Sequence, residues 1–97
     1  MTSKQRAYLR SIANSIEPIF QIGKAGISDN FVKQINDALE ARELIKISVL
    51  SNAPDDIVSI GTSLAELTGS EFVQHVGSKI TLFRQRKENS KINLKNV

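Results

Sequence analysis

Apolar positions recur along the chain with two periods, and the switches between them mark out seven elements. Over residues 2–17, Leu9, Ile12, Ala13 and Ile16 return at helical spacing, with Tyr8 at the edge of the stripe. Thr2 with Gln5 three residues on forms a capping box that opens this helix. Pro18 closes it, because the residue before a proline is pushed out of the helical region. Ile19-Phe20-Gln21-Ile22 is too short for a helix and rich in β-formers, which predicts a strand. Phe31, Ile35, Ala38 and Leu39 form the next helical stripe, with Ser28 as its N-cap and Asp29 in its first turn. Glu40, Arg42 and Glu43 are expected on its solvent side. From Leu44 to Leu50 the period drops to two. Ile45, Ile47 and Val49 share one face, and Lys46 and Ser48 the other.

Ser51-Asn52-Ala53-Pro54 breaks that strand, and Pro54, Asp55 and Asp56 suit the first turn of a third helix. Ile57, Ile60, Leu64 and Leu67 carry it to Gly69, a natural C-terminal stop. Gly61 inside it costs about 1 kcal/mol relative to alanine. Residues 72–76 and 79–84 read as two strands around Gly77-Ser78, a pair suited to a type II′ hairpin turn. The order α-β-α-β-α-β-β gives two βαβ units with right-handed crossovers and a last strand that runs antiparallel. The strands alternate instead of being apolar throughout, so the fold expected is an α/β two-layer sandwich whose helices mainly cover one face of the sheet, leaving the second partly open.

With 97 residues and 40% hydrophobic content the chain makes one modest core. No apolar run reaches the ~18 residues of a membrane span. The first residues lack the apolar stretch of a signal peptide, and there is no cysteine for a disulfide or thiolate site. These features fit a cytoplasmic protein. The net charge of +3 is unevenly spread: residues 1–24 carry +3, residues 25–83 carry −4 and residues 84–97 carry +4. Positive charge collected at the two ends is the pattern of a polyanion-binding face, or of a solvated surface with a basic tail. The tail, residues 85–97, is expected to be mobile.

Between the first strand and the second helix lie Gly23-Lys24-Ala25-Gly26. A glycine loop feeding a helix N-terminus can seat a phosphate on main-chain N–H groups, with Lys24 as a point charge. A plain tight turn is the alternative. Arg6, Arg10 and Asn14 form a polar stripe beside the buried face of the first helix. Phe83, near Lys46, Ser48 and Thr81 by alternation, could stack on an unpaired base or pack in the core. No catalytic constellation is present: His75 is the only histidine, without an orienting partner, and no P-loop pattern occurs. Asp55-Asp56 is explained by a helix start without a metal.

Four ordered blocks carry a family resemblance. They are Lys4-Gln5-Arg6 with Leu9-Arg10; Pro18 with Gln21-Ile22-Gly23-Lys24, Gly26 and Ile27; Glu43-Leu44-Ile45-Lys46; and Val76-Gly77 with Ile80, Leu82 and Arg84. Together, over residues 2–84, they resemble the YhbY-like family, the stand-alone bacterial form of the CRM (chloroplast RNA splicing and ribosome maturation) domain. Phe83 stands where that family usually has tyrosine, and the chain after Arg84 falls outside the pattern. The resemblance implies one domain over residues 1–84, similar to the C-terminal domain of bacterial translation initiation factor three. It implies a four-stranded mixed sheet with the last strand antiparallel between the second and third. It also implies RNA binding through the glycine loop, in large-subunit ribosome maturation. The site residues carried over are Gly23, Lys24, Ala25 and Gly26, with Lys4, Arg6 and Arg10 from the first helix; Lys46 and Arg84 are further candidate RNA-binding residues. The expected function is non-enzymatic RNA binding by a monomer without cofactor, metal, membrane or small-molecule substrate. The alternative is a module docking a ribosomal protein or translation factor.

Overall fold

A computed structural model describes residues 1–95 and 97. Asn96, inside the expected tail, lies outside the described residues. The elements are α1 (Ser3–Ala13), β1 (Pro18–Ile22), α2 (Asp29–Arg42), β2 (Leu44–Val49), α3 (Ile57–Thr68), β3 (Glu71–Val76) and β4 (Lys79–Phe83). The sheet order is β1-β2-β4-β3, with β1 and β2 parallel and β4 antiparallel to both of its neighbours. The last strand thus lies between the second and third, as the resemblance implied.

Local capping sets the helix ends. Thr2 and Gln5 form both bonds of the capping box, and Ser28 Oγ accepts the Phe31 N–H at 3.1 Å. Asp56 caps α3 by accepting the Ser59 N–H at 2.7 Å, so Pro54 and Asp55 lie outside the helix instead of in its first turn. A carboxylate that can reach the N3 amide outcompetes proline as the point where the helix starts. Gly69 ends α3 in the left-handed conformation. Gly77, at φ +59°, is the first central residue of the hairpin turn, and the following Ser78 has no positive φ, as a type II′ turn requires.

The period-two alternation separates two clusters on opposite faces of the sheet. On one face Ile45, Ile47, Ile80, Leu82 and Ile22 meet Ile35 and Leu39 of α2 and Ile60 and Leu64 of α3. On the other, Leu44, Phe83 and Val73 meet Leu9 and Ala13 of α1, together with Leu94. The two-layer body therefore carries a partial third layer. The apolar end of the second face, at Leu44 and Phe83, is what α1 and the C-terminal segment cover. Toward the Lys79 end that face is partly open: Gln21 and Lys79 are exposed and Ser48, Lys46 and Gln74 half-buried, while Thr81 among them is buried.

Gly61 answers a packing need. A Cβ there would stand 2.5 Å from Phe72 Cζ, so the glycine lets α3 lie directly on the aromatic ring of β3.

One expectation fails at the end of the sheet where β2 begins. Glu43 is fully buried, not on the solvent side of α2. It stands in the left-handed region at φ 67°, which turns its side chain away from the exposed helical row. Residues 85–95 contain no helix or strand and make contacts with the body of the domain. The N–H groups of Arg86, Lys91 and Ile92 and the Ser90 hydroxyl all donate to the Glu43 carboxylate. Leu94 then tucks under α1, and Gln5 Nε2 donates to its carbonyl at 3.2 Å. A positive segment thus meets a buried carboxylate and an apolar patch.

Candidate nucleic-acid interface

The glycine loop is a tight turn. Gly26 N–H donates to the Gly23 carbonyl at 2.9 Å, and Gly26 has φ +67°. The turn docks on the segment that follows β2. A Cβ on Gly23 would lie 3.2 Å from Asn52 Oδ1, and one on Gly26 would lie 3.0 Å from Pro54 Cγ. Both glycines are thus accounted for by chain geometry, and their consequence is an exposed two-residue tip, Lys24-Ala25.

The amides of this region are partly spent. Gly26 N–H closes the turn, the Phe31 N–H goes to Ser28 Oγ, and the Val32 N–H goes to the Ser28 carbonyl. Asp29 adds a carboxylate in the first turn of α2, which answers the positive end of the helix dipole from within the chain. Among the described residues, the Lys24 and Ala25 amides donate no hydrogen bond. The seat for an anion is therefore the turn tip and the Lys24 ammonium, more than the helix terminus behind it.

The structure sorts the other expected site residues into free and engaged groups. Arg6 is engaged: its guanidinium donates to the carbonyls of Phe72 and Val73 at 3.0 Å each. Those carbonyls sit at the irregularity in the β3–β4 register, between Phe72 and Gln74, so Arg6 satisfies backbone groups that the bulge releases from regular pairing. Arg84 is engaged as well, on the α2–α3 side of the sheet. It donates to Asn36 Oδ1 and the Thr68 carbonyl at 2.7 Å and to the Asn36 carbonyl at 3.0 Å, with Glu40 at 3.6 Å. It lies at the end of β4 remote from the glycine turn and joins β4 to both helices. The structure does not gather either arginine with the turn. Phe83 is 4% exposed beneath α1, which takes it out of reach of a base and makes it core.

Arg10, Lys4 and Lys46 remain accessible. Helical spacing puts Arg10 on the Arg6 flank of α1, away from the flank where Gln5 holds Leu94. Lys4 is exposed on the outer side of α1. Lys46 is half-buried on the open face of β2.

Strand register shows what that open face contains. One row across the sheet is Gln21, Ser48, Lys79 and Val76, paired in that order from β1 to β3. The row below it is Pro18, Lys46, Thr81 and Gln74. Neither row contains a carboxylate. Gln21 lies two residues before the glycine turn, so the upper row runs directly into it. An open cleft of about 590 Å³ reaches over Ile19, Gln21, Ser48 and Lys79, with Glu17 at its lower edge. Sequence reading missed Lys79 and Gln21 as the neighbours of Ser48, on the face that also carries Lys46. The signal was there in the alternation, since Lys79 shares a parity with Thr81 and Gln21 with Ile19, but the alignment of the strands was needed to put them in one row.

Two carboxyl groups, Glu43 and Asp56, are held below their usual values. For Glu43, burial works against the charge. Hydrogen bonds from Arg86, Ser90, Lys91 and Ile92 outweigh it and hold the carboxyl below its usual value. The Asp56 carboxyl is also held low, by the hydrogen bonds it accepts from Ser59 as the cap of α3. Both shifts belong to structure. Among the described residues no group of three or more His, Cys, Asp or Glu is clustered closely enough to hold a metal ion, and no helix is long and apolar enough to cross a membrane.

Comparison with known proteins agrees with this architecture. The family model described as the CRS1/YhbY (CRM) domain matches residues 1–84. The chain is 48% identical to the probable RNA-binding protein YqeI of Bacillus subtilis over 97% of its own length and 98% of the relative's. It is 38% identical to the probable RNA-binding protein MJ0652 of Methanocaldococcus jannaschii over 89% of its length, which spans 65% of that relative. Plant CRS2-associated factors also match; for the Arabidopsis thaliana chloroplastic factor 1, identity is 26% and the matched part is 13% of the relative. The solution structure of the hypothetical protein SAV1595 from Staphylococcus aureus superposes with a TM-score of 0.81 at 54% identity, covering 96% of this chain and 97% of that one. The family model covers residues 1–84 of this chain, and the chain belongs to the CRS1/YhbY (CRM) domain family.

Proposed function

We propose that this protein is a non-enzymatic, cytoplasmic RNA-binding protein that engages ribosomal RNA of the large-subunit precursor during ribosome assembly. The observation that carries the reading is the exposed Lys24-Ala25 tip, with its two unspent amides, at the border of a sheet face whose central rows contain no carboxylate. A phosphate meets main-chain N–H groups there and the Lys24 ammonium beside them, with Gly23 and Gly26 setting the turn that presents both. Arg10 and Lys46 neutralise further phosphates; Lys4 acts at longer range. Such contacts position an RNA more than they read its sequence. The names of the Bacillus subtilis and Methanocaldococcus jannaschii relatives support RNA as the ligand, and the family resemblance supports the large-subunit precursor.

Lys24→Ala is expected to weaken binding to ribosomal RNA and to lower the slope of log affinity against log salt by about 0.7–0.9, the loss of one phosphate contact. An unchanged salt titration removes the turn from the interface. Crosslinking in cells followed by sequencing of the attached RNA tests the target. Recovery of large-subunit precursor fragments supports it. Binding that survives nuclease treatment would instead favour docking to a ribosomal protein or translation factor.

A further inference from the structure

The geometry points to a second, continuous contact surface: we propose that the open rows of the sheet take a single-stranded stretch of RNA leading away from the glycine turn, with Lys79 and Lys46 each holding a phosphate. The proposal rests on the RNA-binding reading and extends it to residues outside the turn.

Three observations support it. The register sets Gln21, Ser48 and Lys79 side by side, and one pleat below them Lys46 and Thr81. Adjacent strands lie about 4.8 Å apart, so the four strands span about 15 Å, enough for a short extended strand and too little for a duplex to seat along its groove. Charge complementarity favours a polyanion: Lys24, Lys79 and Lys46 step from the turn onto the face and Arg10 borders it from α1, against one carboxylate, Glu17, among the residues that line the cleft. The face is also unlike a protein-docking patch. Its two middle strands present Lys46, Ser48 and Lys79 around the buried Thr81, the amides of Gln21 and Gln74 lie on the edge strands, and Ile19 and Val76 stand apart at opposite edges, 37% and 62% exposed. These two can lie against the faces of bases while Gln21 and Gln74 offer amide groups to base edges. There is no aromatic platform on the rows, so sequence preference is weak and phosphate contacts dominate.

The test is a salt titration of binding to labelled 20-nucleotide single strands of poly(U) and poly(A) and to an RNA duplex of equal length. The full chain is compared with Lys46→Gln/Lys79→Gln, with Lys24→Ala, and with Lys33→Gln/Lys87→Gln as a charge-matched control. Unfolding midpoints confirm that each variant is folded. The sheet-face double variant is expected to lose about 1.4 from the single-strand salt slope, about 0.7 for each of two phosphate contacts. The control is expected to keep its slope, and the wild-type chain to prefer single strands to duplex. A slope unchanged in the sheet-face variant but lowered in Lys24→Ala overturns the platform and leaves the turn standing. A slope lowered in the sheet-face variant but not in Lys24→Ala supports the platform and removes the turn. Equal losses in the control and the sheet-face variant reduce the effect to net charge and overturn the proposal. So does preference for the duplex.

Discussion

At one end of the sheet the amides of Arg86, Lys91 and Ile92 turn inward onto the Glu43 carboxylate; at the other the amides of Lys24 and Ala25 stand on an exposed turn. Both regions use the same elementary device, successive backbone N–H groups converging on one side of a bent chain. They differ in where the anion comes from. The Glu43 end supplies its own, buried and tied by side-chain and backbone donors, and so fastens residues 85–94 over α1. The glycine end spends only as many donors as its turn and helix cap require. A filled cradle contributes to stability, whereas an exposed one can be altered at little cost to the fold and is free to serve binding.

The sharpest way to break this contrast is Glu43→Gln. The substitution removes the charge and puts an amide NH2 where N–H groups converge, leaving buried donors unsatisfied. A loss of about 2–4 kcal/mol is expected in denaturant unfolding, with increased protease cleavage after Arg84. The same carboxylate sets a pH response. Its pKa is lowered in the folded chain, so the unfolded chain takes up a proton more readily. Its contribution is present in full above the ordinary value of 4.5 and is lost as pH falls through the folded value. Stability measured from pH 6 downward should show this component in the wild-type protein and not in Glu43→Gln. Loss of the acid-dependent component without any fall in stability at pH 7 would contradict a structural role.

Gly61→Ala comes next. Helix propensity favours the change by about 1 kcal/mol. The new methyl would lie 2.5–2.8 Å from three atoms of the Phe72 ring, and the displacement of that ring is the larger effect. A net destabilisation of about 1–2 kcal/mol is expected from overpacking, and pairing it with Phe72→Leu should recover part of the loss. The smallest effect on stability is expected at the other cradle. Lys24→Ala should stay within about 0.5 kcal/mol of wild type, as exposed substitutions do, while weakening RNA binding. A large drop in its unfolding midpoint would show that Lys24 serves the fold and erase the distinction between the two ends.

Much of this was legible before any coordinates, because its causes are local. The capping box at Thr2, the cap at Ser28, the stop at Gly69 and the hairpin at Gly77 each depend on a few neighbouring residues. The alternation of β2 assigned Lys46 and Ile47 to different faces from their order alone. The glycine turn followed from its spacing and from the strand and helix on either side. Where the reading failed, the deciding contact came from far along the chain. Arg6 and Arg84 have the charge of RNA ligands, but carbonyls at Phe72, Val73, Asn36 and Thr68 claim them. Glu43 ends a helix as an ordinary surface acid would, and residues 86–92 bury it.

Helix and strand periods, caps and turns were therefore determined by the sequence itself, since each is a matter of backbone sterics and of bonds spanning a few residues. Which cations stay free, which carboxylate is enclosed and which side chains line up across four strands were decided by tertiary structure alone. A charged group keeps its solvent and its reach only if no buried carbonyl or amide needs it more, and that competition is settled by residues tens of positions away.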